Sequence, residues 1–125
     1  MPIHWTISQP TKLVVAVCKG AVTREDIEGY LDAVVVADAL GYRKIFDFTQ
    51  AQAELPDDDM MALGARIRAY ASTGAMGPLA IIATTPESNE RAHMFAALAD
   101  AQRPIKIFTE LHKARQWLDA QAPAD

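Results

Sequence analysis

The sequence is short of the residues that mark membrane spans, disulfides and nucleic-acid interfaces. Its one cysteine, Cys18, excludes an internal disulfide. No apolar run approaches the roughly 20 residues that cross a bilayer, and the first residues lack the pattern of a signal peptide. The formal net charge of −4 offers no basic stripe for phosphates. We therefore expect a cytoplasmic protein without a membrane span and without a nucleic-acid partner.

Motifs for catalysis and for cofactor binding are also missing. No Gly-x-Ser-x-Gly, Walker loop or Gly-x-Gly-x-x-Gly occurs, and the serines are scattered. The three histidines, His4, His93 and His112, lack the paired spacing of metal ligands. We therefore predict a protein that is not an enzyme and that holds neither a cofactor nor a metal.

What the sequence does contain fits one α/β domain spanning residues 1–125. This length is typical of a single domain, and 50% of the residues are apolar. Cys18 ends an apolar run from residue 13, which predicts a buried strand and an unreactive thiol. Residues 119–125 show no periodic pattern and are expected to fray.

Five strands and four helices are predicted from the apolar patterns. The first two strands form a hairpin, and each later strand follows a helix. Because helical crossovers join parallel strands, the last four strands should form a parallel sheet with the first strand antiparallel at its edge. The predicted strands are residues 3–7, 12–19, 44–48, 79–83 and 105–108.

Capping residues predict where the helices begin. Thr23 with Asp26 resembles a capping box, and Thr85 before Pro86 is a strong helix start. Asp57 is expected to cap the second helix after a polar loop at residues 49–56, and Thr109 is expected to cap the fourth.

Further residues predict a helix end and the buried helical faces. Gly41 is expected to close the first helix. Val35 should lie on the buried face of the first helix, and Leu111 on that of the fourth.

Three segments of the chain stand out as motifs: Gly-Ala-Val-Thr at residues 20–23, Ile-Phe-Asp-Phe-Thr at residues 45–49, and Ile-Lys-Ile-Phe-Thr at residues 105–109, followed by Ala-Arg-Gln-Trp-Leu. Together they resemble the STAS (SpoIIAA-like, anti-sigma-factor-antagonist) family. The resemblance extends over residues 3–118. It implies a SpoIIAA-like mixed, mostly parallel five-stranded sheet in β-β-α-β-α-β-α-β-α order with helices packed on it. It also implies a regulatory or protein-interaction module that docks to partners.

One departure from that family concerns the start of the second helix. Signalling members carry a phosphorylated Ser or Thr there, whereas this chain reads Leu-Pro-Asp-Asp-Asp-Met at residues 55–60. The acids suit the helix dipole and place permanent negative charge at this point. The partner-binding surface is therefore expected to comprise Thr49, Asp57, Asp58 and Asp59, in a protein that forms a homodimer.

Two candidate ligand sites are also predicted. Thr84, Thr85 and Thr109 follow parallel strands at a rim, and helix capping is the simpler explanation of these threonines. The alternative explanation is a site for a small anion or polar head group, which free helix amides would favour. The alternative is a hydrophobic-ligand or lipid groove, since flexible Met side chains suit either a groove or an irregular core. Its residues are Met60, Tyr70 and Met94, with Met61, Met76 and Phe95 nearby.

Overall fold

The computed structural model describes residues 2–124 and contains one five-stranded sheet and four helices. A hairpin of β1 (Ile3–Ser8) and β2 (Leu13–Val22) leads into alternating helices and strands. The remaining elements are α1 (Arg24–Val36), β3 (Arg43–Ala53), α2 (Asp57–Ala71), β4 (Leu79–Ile82), α3 (Pro86–Leu98), β5 (Ile105–Phe108) and α4 (Leu111–Asp119).

The sheet has the predicted topology. Its strand order is β1-β2-β3-β4-β5, with β1 antiparallel to β2 and every other neighbouring pair parallel. Because the strands follow one another in space as in sequence, right-handed crossovers carry α1, α2 and α3 over the same face. Helix α4 covers β3, β4 and β5 from the opposite face.

Strand β3 shows how the sequence alternation divides these two faces. Phe46 and Phe48 belong to the core beneath α1, α2 and α3, whereas Ile45 packs with Leu118 on the α4 side. Lys44 shares the face of the two phenylalanines because side chains alternate with a period of two.

Helix α2 lies further from the sheet than its neighbours. Helices α1 and α3 pack directly on strands, whereas α2 packs mainly on α1 and α3. Gly64 permits the close contact with α3, since a Cβ at this position would lie 2.8 Å from Leu98 Cβ. Met60, Leu63 and Ile67 point inward from α2 and are buried. Helix α2 therefore forms a roof over the space between α1 and α3.

Several helix boundaries differ from the sequence predictions. Helix α1 ends at Val36 rather than at Gly41, because Asp38 adopts a left-handed backbone with φ 56°. Helix α2 begins at Asp57 without a side-chain cap. Helix α4 begins after Glu110, so Thr109 does not cap it.

Two residues predicted on buried helix faces are exposed, and one predicted loop is mostly strand. Val35 is 40% exposed and Leu111 is 41% exposed. The predicted polar loop at residues 49–56 is largely strand, since β3 pairs with β2 as far as Ala53. The last part of β3 consists of polar residues that alternate with Ala51 and Ala53. This part lacks the apolar run that usually predicts a strand.

The carboxyl-terminal tail makes a backbone contact with the segment that follows α1. Asp119 ends α4, and the Ala124 N–H donates to the Gly41 carbonyl at 2.8 Å. The expected fraying of residues 119–125 stays a prediction, and Asp125 lies outside the described residues. Over residues 2–124, no helix combines the length and the apolar character needed to cross a membrane.

Candidate functional site

An apolar cavity of about 80 Å³ lies between the sheet and helix α2. Phe46 and Phe48 of β3 form part of its floor, and Met60, Leu63 and Ile67 of α2 form its roof. The remaining lining residues come from α1, α3, β4 and the connecting segments. The same side chains that build the core therefore leave space at its centre.

Three aromatic rings lie next to one another in the lining of the cavity. The Tyr30 and Phe46 ring centroids lie 5.7 Å apart, and those of Phe46 and Phe48 lie 6.0 Å apart. Protein interiors contain few voids larger than a water molecule. A water needs about 10–15 Å³ together with polar partners. This space is therefore large enough for water, but its apolar walls offer few hydrogen-bond partners for it.

Two buried cations lie at the end of the cavity nearest the amino ends of the parallel strands. Lys44 is the second residue of β3, and Arg103 lies just before β5; both line the cavity. Lys44 Nζ donates to the Tyr42 carbonyl at 2.8 Å and to the Leu40 carbonyl. Burial, reinforced by Arg103, lowers the pKa of Lys44 to about 7.

Arg103 and Tyr30 each bring an unsatisfied donor to this end. Arg103 is 7% exposed and Tyr30 is 4% exposed, and neither Arg103 Nε nor Tyr30 Oη has a hydrogen-bond partner. Burial lowers the pKa of Arg103 to about 10 against opposing contributions from Tyr30 and Asp100. Burial also raises the pKa of Tyr30. Within residues 2–124, neither Lys44 nor Arg103 has a carboxylate within 4.0 Å.

Arg91 lies at the other end of the cavity. Its Nη1 donates to Asp57 Oδ1 at 2.8 Å and to the Leu55 carbonyl at 3.2 Å. A shallow surface depression shares Ala53, Leu55 and Arg91 with the cavity lining. These residues therefore separate the cavity from solvent at the start of α2.

The predicted acidic surface is only partly free of internal contacts. Asp57 pairs with Arg91, and Asp59 Oδ1 lies 3.4 Å from Arg24 Nη1. Asp58 is exposed and has no ion pair among the described residues. Nowhere in residues 2–124 do three or more His, Cys, Asp or Glu side chains form a group suited to a metal.

Two of the four threonines predicted for binding are hydrogen-bonded to neighbouring residues. Thr49, from the predicted partner-binding surface, donates its hydroxyl to Asp47 Oδ1 at 2.7 Å. Thr85 caps α3, where its Oγ1 accepts the Ser88 N–H at 3.1 Å. Thr84 and Thr109 are exposed. The rim thus lies at the carboxyl ends of the strands, opposite the buried cations.

The Met and aromatic residues predicted for a groove are divided by the structure. Met60, Met76 and Phe95 line the cavity. Tyr70 lies outside the lining, and its hydroxyl accepts from Arg66 Nη1 at 3.0 Å. Met94 also lies outside it, with its sulfur 3.4 Å from Arg91 Nη1, and Met61 is 58% exposed.

Sequence reasoning missed Tyr30, Lys44 and Arg103 as site residues. Because Lys and Arg are rarely buried, their occurrence in the sequence did not indicate that these two would line a cavity. One signal was available for Lys44, which alternates with Phe46 and Phe48 on one strand face. The sequence did identify Cys18 as buried, and burial raises its pKa to about 12.

Comparison with known proteins bears on the fold. No protein-family model matches the sequence, and no curated protein matches it. A solved structure from Shewanella loihica PV-4, described as an uncharacterized DUF3478-family protein with a SpoIIAA-like fold, superposes with a TM-score of 0.60. The chain has a SpoIIAA-like fold. The alignment covers 93% of this chain and 91% of the other at 20% identity, so the similarity shows the SpoIIAA-like fold alone.

Proposed function

We propose that this protein is a non-catalytic SpoIIAA-like module that binds a small apolar ligand in the cavity beneath α2. The observation that supports this proposal is the apolar space of about 80 Å³ at the centre of the core. Its small size favours a ligand with a short hydrocarbon chain over a long-chain lipid.

An empty apolar space costs stability. Its lining atoms lack van der Waals partners on one side, and water gains few hydrogen bonds there. Larger side chains at Ala53 or Ala92, which line the space, would fill it. A ligand that occupies the cavity would restore those contacts and gain from the transfer of its own apolar surface out of water.

The cavity residues also favour binding over chemistry. The Ser88 hydroxyl is held by the Thr85 cap, with the two oxygens 2.8 Å apart. Catalysis by a hydroxyl nucleophile requires a base within hydrogen-bond reach. Lys44, whose pKa is about 7, lies at the amino ends of the parallel strands, whereas Ser88 lies in the first turn of α3, beyond the carboxyl end of β4. We therefore expect no turnover of a bound ligand.

Calorimetric titration with hexanol and octanol tests the proposal, because these probes carry an apolar chain without charge. We expect saturable binding of one molecule per chain. Ala92→Leu should weaken binding at least about fivefold by filling the cavity. Ala97→Leu, the same change at an exposed position of α3, should leave it unchanged. Absence of saturable binding, or equal effects of the two substitutions, would contradict the proposal.

A second candidate function is regulation through a protein partner or a homodimer at the start of α2. Asp58 and Met61 are three residues apart and therefore share a helix face, and both are exposed. An exposed Met beside an acid suits an adaptable docking surface. Sedimentation velocity should then show a dimer that Asp58→Ala with Met61→Ser shifts towards monomer. A wild-type monomer at every concentration would argue against the homodimer.

A further inference from the structure

We propose that the cavity binds a small neutral aromatic molecule, whose ring lies between Phe46 and Phe48 on the floor and Met60 in the roof. This inference rests on the proposed function and specifies the chemical class of the ligand.

Aromatic side chains from three different elements line the cavity. They are Tyr30 of α1, Phe46 and Phe48 of β3, and Phe95 of α3. The Tyr30 and Phe46 rings are tilted by 52° at a centroid distance of 5.7 Å, and the Phe46 and Phe48 rings are stacked at 6.0 Å. Aromatic pairs favour such tilted and offset arrangements, with centroids about 4.5–7 Å apart. A ligand ring in the cavity would therefore meet partners that already pair in a favourable geometry.

Phe46 keeps accessible surface in the middle of the fold. It lies on β3, the central strand of the sheet, in the core beneath the helices, yet it is only partly buried. Its neighbours Tyr30 and Phe48 are buried. Because Phe46 lines the cavity, its accessible surface is available to a ligand. An aromatic ligand at this surface would gain more than the burial of its area provides, since ring pairs attract each other beyond that burial.

Methionines give the cavity a lining that can adjust to a ring. Met60 of α2 and Met76, which precedes β4, both line the cavity and are buried. Met side chains are flexible, and their sulfur makes favourable contacts with aromatic rings. An apolar cavity of roughly 150 Å³ in another protein binds benzene, and this one is smaller, at about 80 Å³. We therefore expect a single ring, accommodated by rotation of the methionines, and not a fused pair of rings.

Three polar side chains of the lining are bonded within the protein, which disfavours a charged ligand. Lys44 Nζ donates to backbone carbonyls, Arg91 Nη1 donates to a carboxylate of α2, and the Ser88 hydroxyl is held in the cap of α3. An ion that enters an apolar space without a partner loses its hydration and gains nothing in return. The aromatic ligand is therefore neutral.

An NMR titration of protein labelled at its methionine methyl groups tests this inference. Benzene and cyclohexane are the probes, because both are uncharged six-carbon rings and only benzene is aromatic. We expect benzene to bind at least about threefold more tightly, although cyclohexane is the more hydrophobic of the two. The ring current of bound benzene should also shift the Met60 methyl signal and leave that of exposed Met61 unchanged.

The outcomes separate this inference from the proposed function. Equal or tighter binding of cyclohexane would overturn the inference and leave the proposed function standing. Binding of hexanol without binding of either ring would have the same meaning. If none of the three molecules binds, both proposals are wrong.

Substitutions assign the preference to the rings of β3. Phe46→Leu should remove the preference for benzene while cyclohexane still binds, and that binding would show that the variant folds with its cavity intact. Phe48→Leu should reduce the preference as well and serves as the second test if Phe46→Leu does not fold. Phe108→Leu is the matched control, because Phe108 packs on Trp117 on the α4 side of the sheet and should not affect the preference. A preference for benzene unchanged in Phe46→Leu and Phe48→Leu would overturn the assignment.

Discussion

Arg91 of α3 is bound to Asp57 in the first turn of α2, with Nη1 2.8 Å from Oδ1. The same nitrogen donates to the Leu55 carbonyl. This contact joins two helices at the point where the cavity approaches the surface depression. It holds the start of the roof helix against the body of the protein.

Breaking this contact should speed the exchange of ligand. Asp57→Asn weakens the hold on Arg91, but the Asp57 side chain is 67% exposed, so the free energy of unfolding should change by less than about 1 kcal/mol. We expect hexanol to dissociate several-fold faster, as measured by NMR exchange. Asp58→Asn removes an acid without an ion pair in the described structure and serves as the control. Equal dissociation rates in the two variants would show that Arg91 and Asp57 do not restrict access.

The helix caps predict a difference between two threonines. Thr85 caps α3 through its side chain, whereas Thr109 makes no capping hydrogen bond. Thr85→Ala should therefore lower the free energy of unfolding by about 1 kcal/mol. Thr109→Ala should change it by less than about 0.5 kcal/mol. Urea denaturation measures both, and a larger loss in Thr109→Ala would contradict the assignment of Glu110 as the cap.

Two helical glycines should respond in opposite directions to alanine. A Cβ on Gly29 meets nothing within 4 Å, so Gly29→Ala should stabilise the protein by up to about 1 kcal/mol through helix propensity. A Cβ on Gly64 would lie 2.8 Å from Leu98 Cβ, so Gly64→Ala must separate α2 from α3. Overpacking costs about 1–3 kcal/mol and should exceed the gain in propensity. Thermal unfolding of both variants checks this, and stabilisation by Gly64→Ala would contradict the close packing of the roof.

Lys44 should make stability rise with pH in weakly alkaline solution. Its pKa is about 7 in the folded protein, against an ordinary value of 10.5, so the unfolded chain binds more protons between these values. The free energy of unfolding should then increase above about pH 7, by at most about 1.4 kcal/mol per pH unit. Cys18 opposes this trend only above its ordinary pKa of 9.0, because burial raises its pKa in the folded state.

Lys44→Met isolates that dependence. The variant should lose the rise in stability between about pH 7 and pH 9, whereas exposed Lys106→Met should retain it. Urea midpoints at several pH values in this window measure the difference. Identical slopes in wild type and Lys44→Met would show that Lys44 is not the group responsible.

The sheet could be predicted from the sequence because the information that specifies it is periodic. The apolar runs at residues 79–83 and 105–108 are typical of buried parallel strands, and helices between strands require parallel crossovers. The far end of β3 was missed because Gln50 and Gln52 alternate with small alanines, and pairing with β2 decides their structure. Tertiary pairing overrides local propensity at such positions.

The site was harder to predict for a different reason. A cavity is a difference between the volume that the backbone encloses and the volume that side chains fill, and sequence spacing does not give either quantity. Met60 was correctly placed facing inward by helical periodicity, but the same periodicity placed Tyr70 beside it, where Arg66 holds its hydroxyl outside the cavity lining. Arg103 is buried by a connection between α3 and β5 that carries no periodic pattern.

A crystal structure of the protein grown with hexanol would show whether the cavity takes a small apolar molecule. We expect one molecule between α2 and the sheet, with its chain against Leu63 and Phe46. An unfilled cavity at saturating hexanol, or hexanol bound only on the outer surface, would refute ligand binding beneath α2.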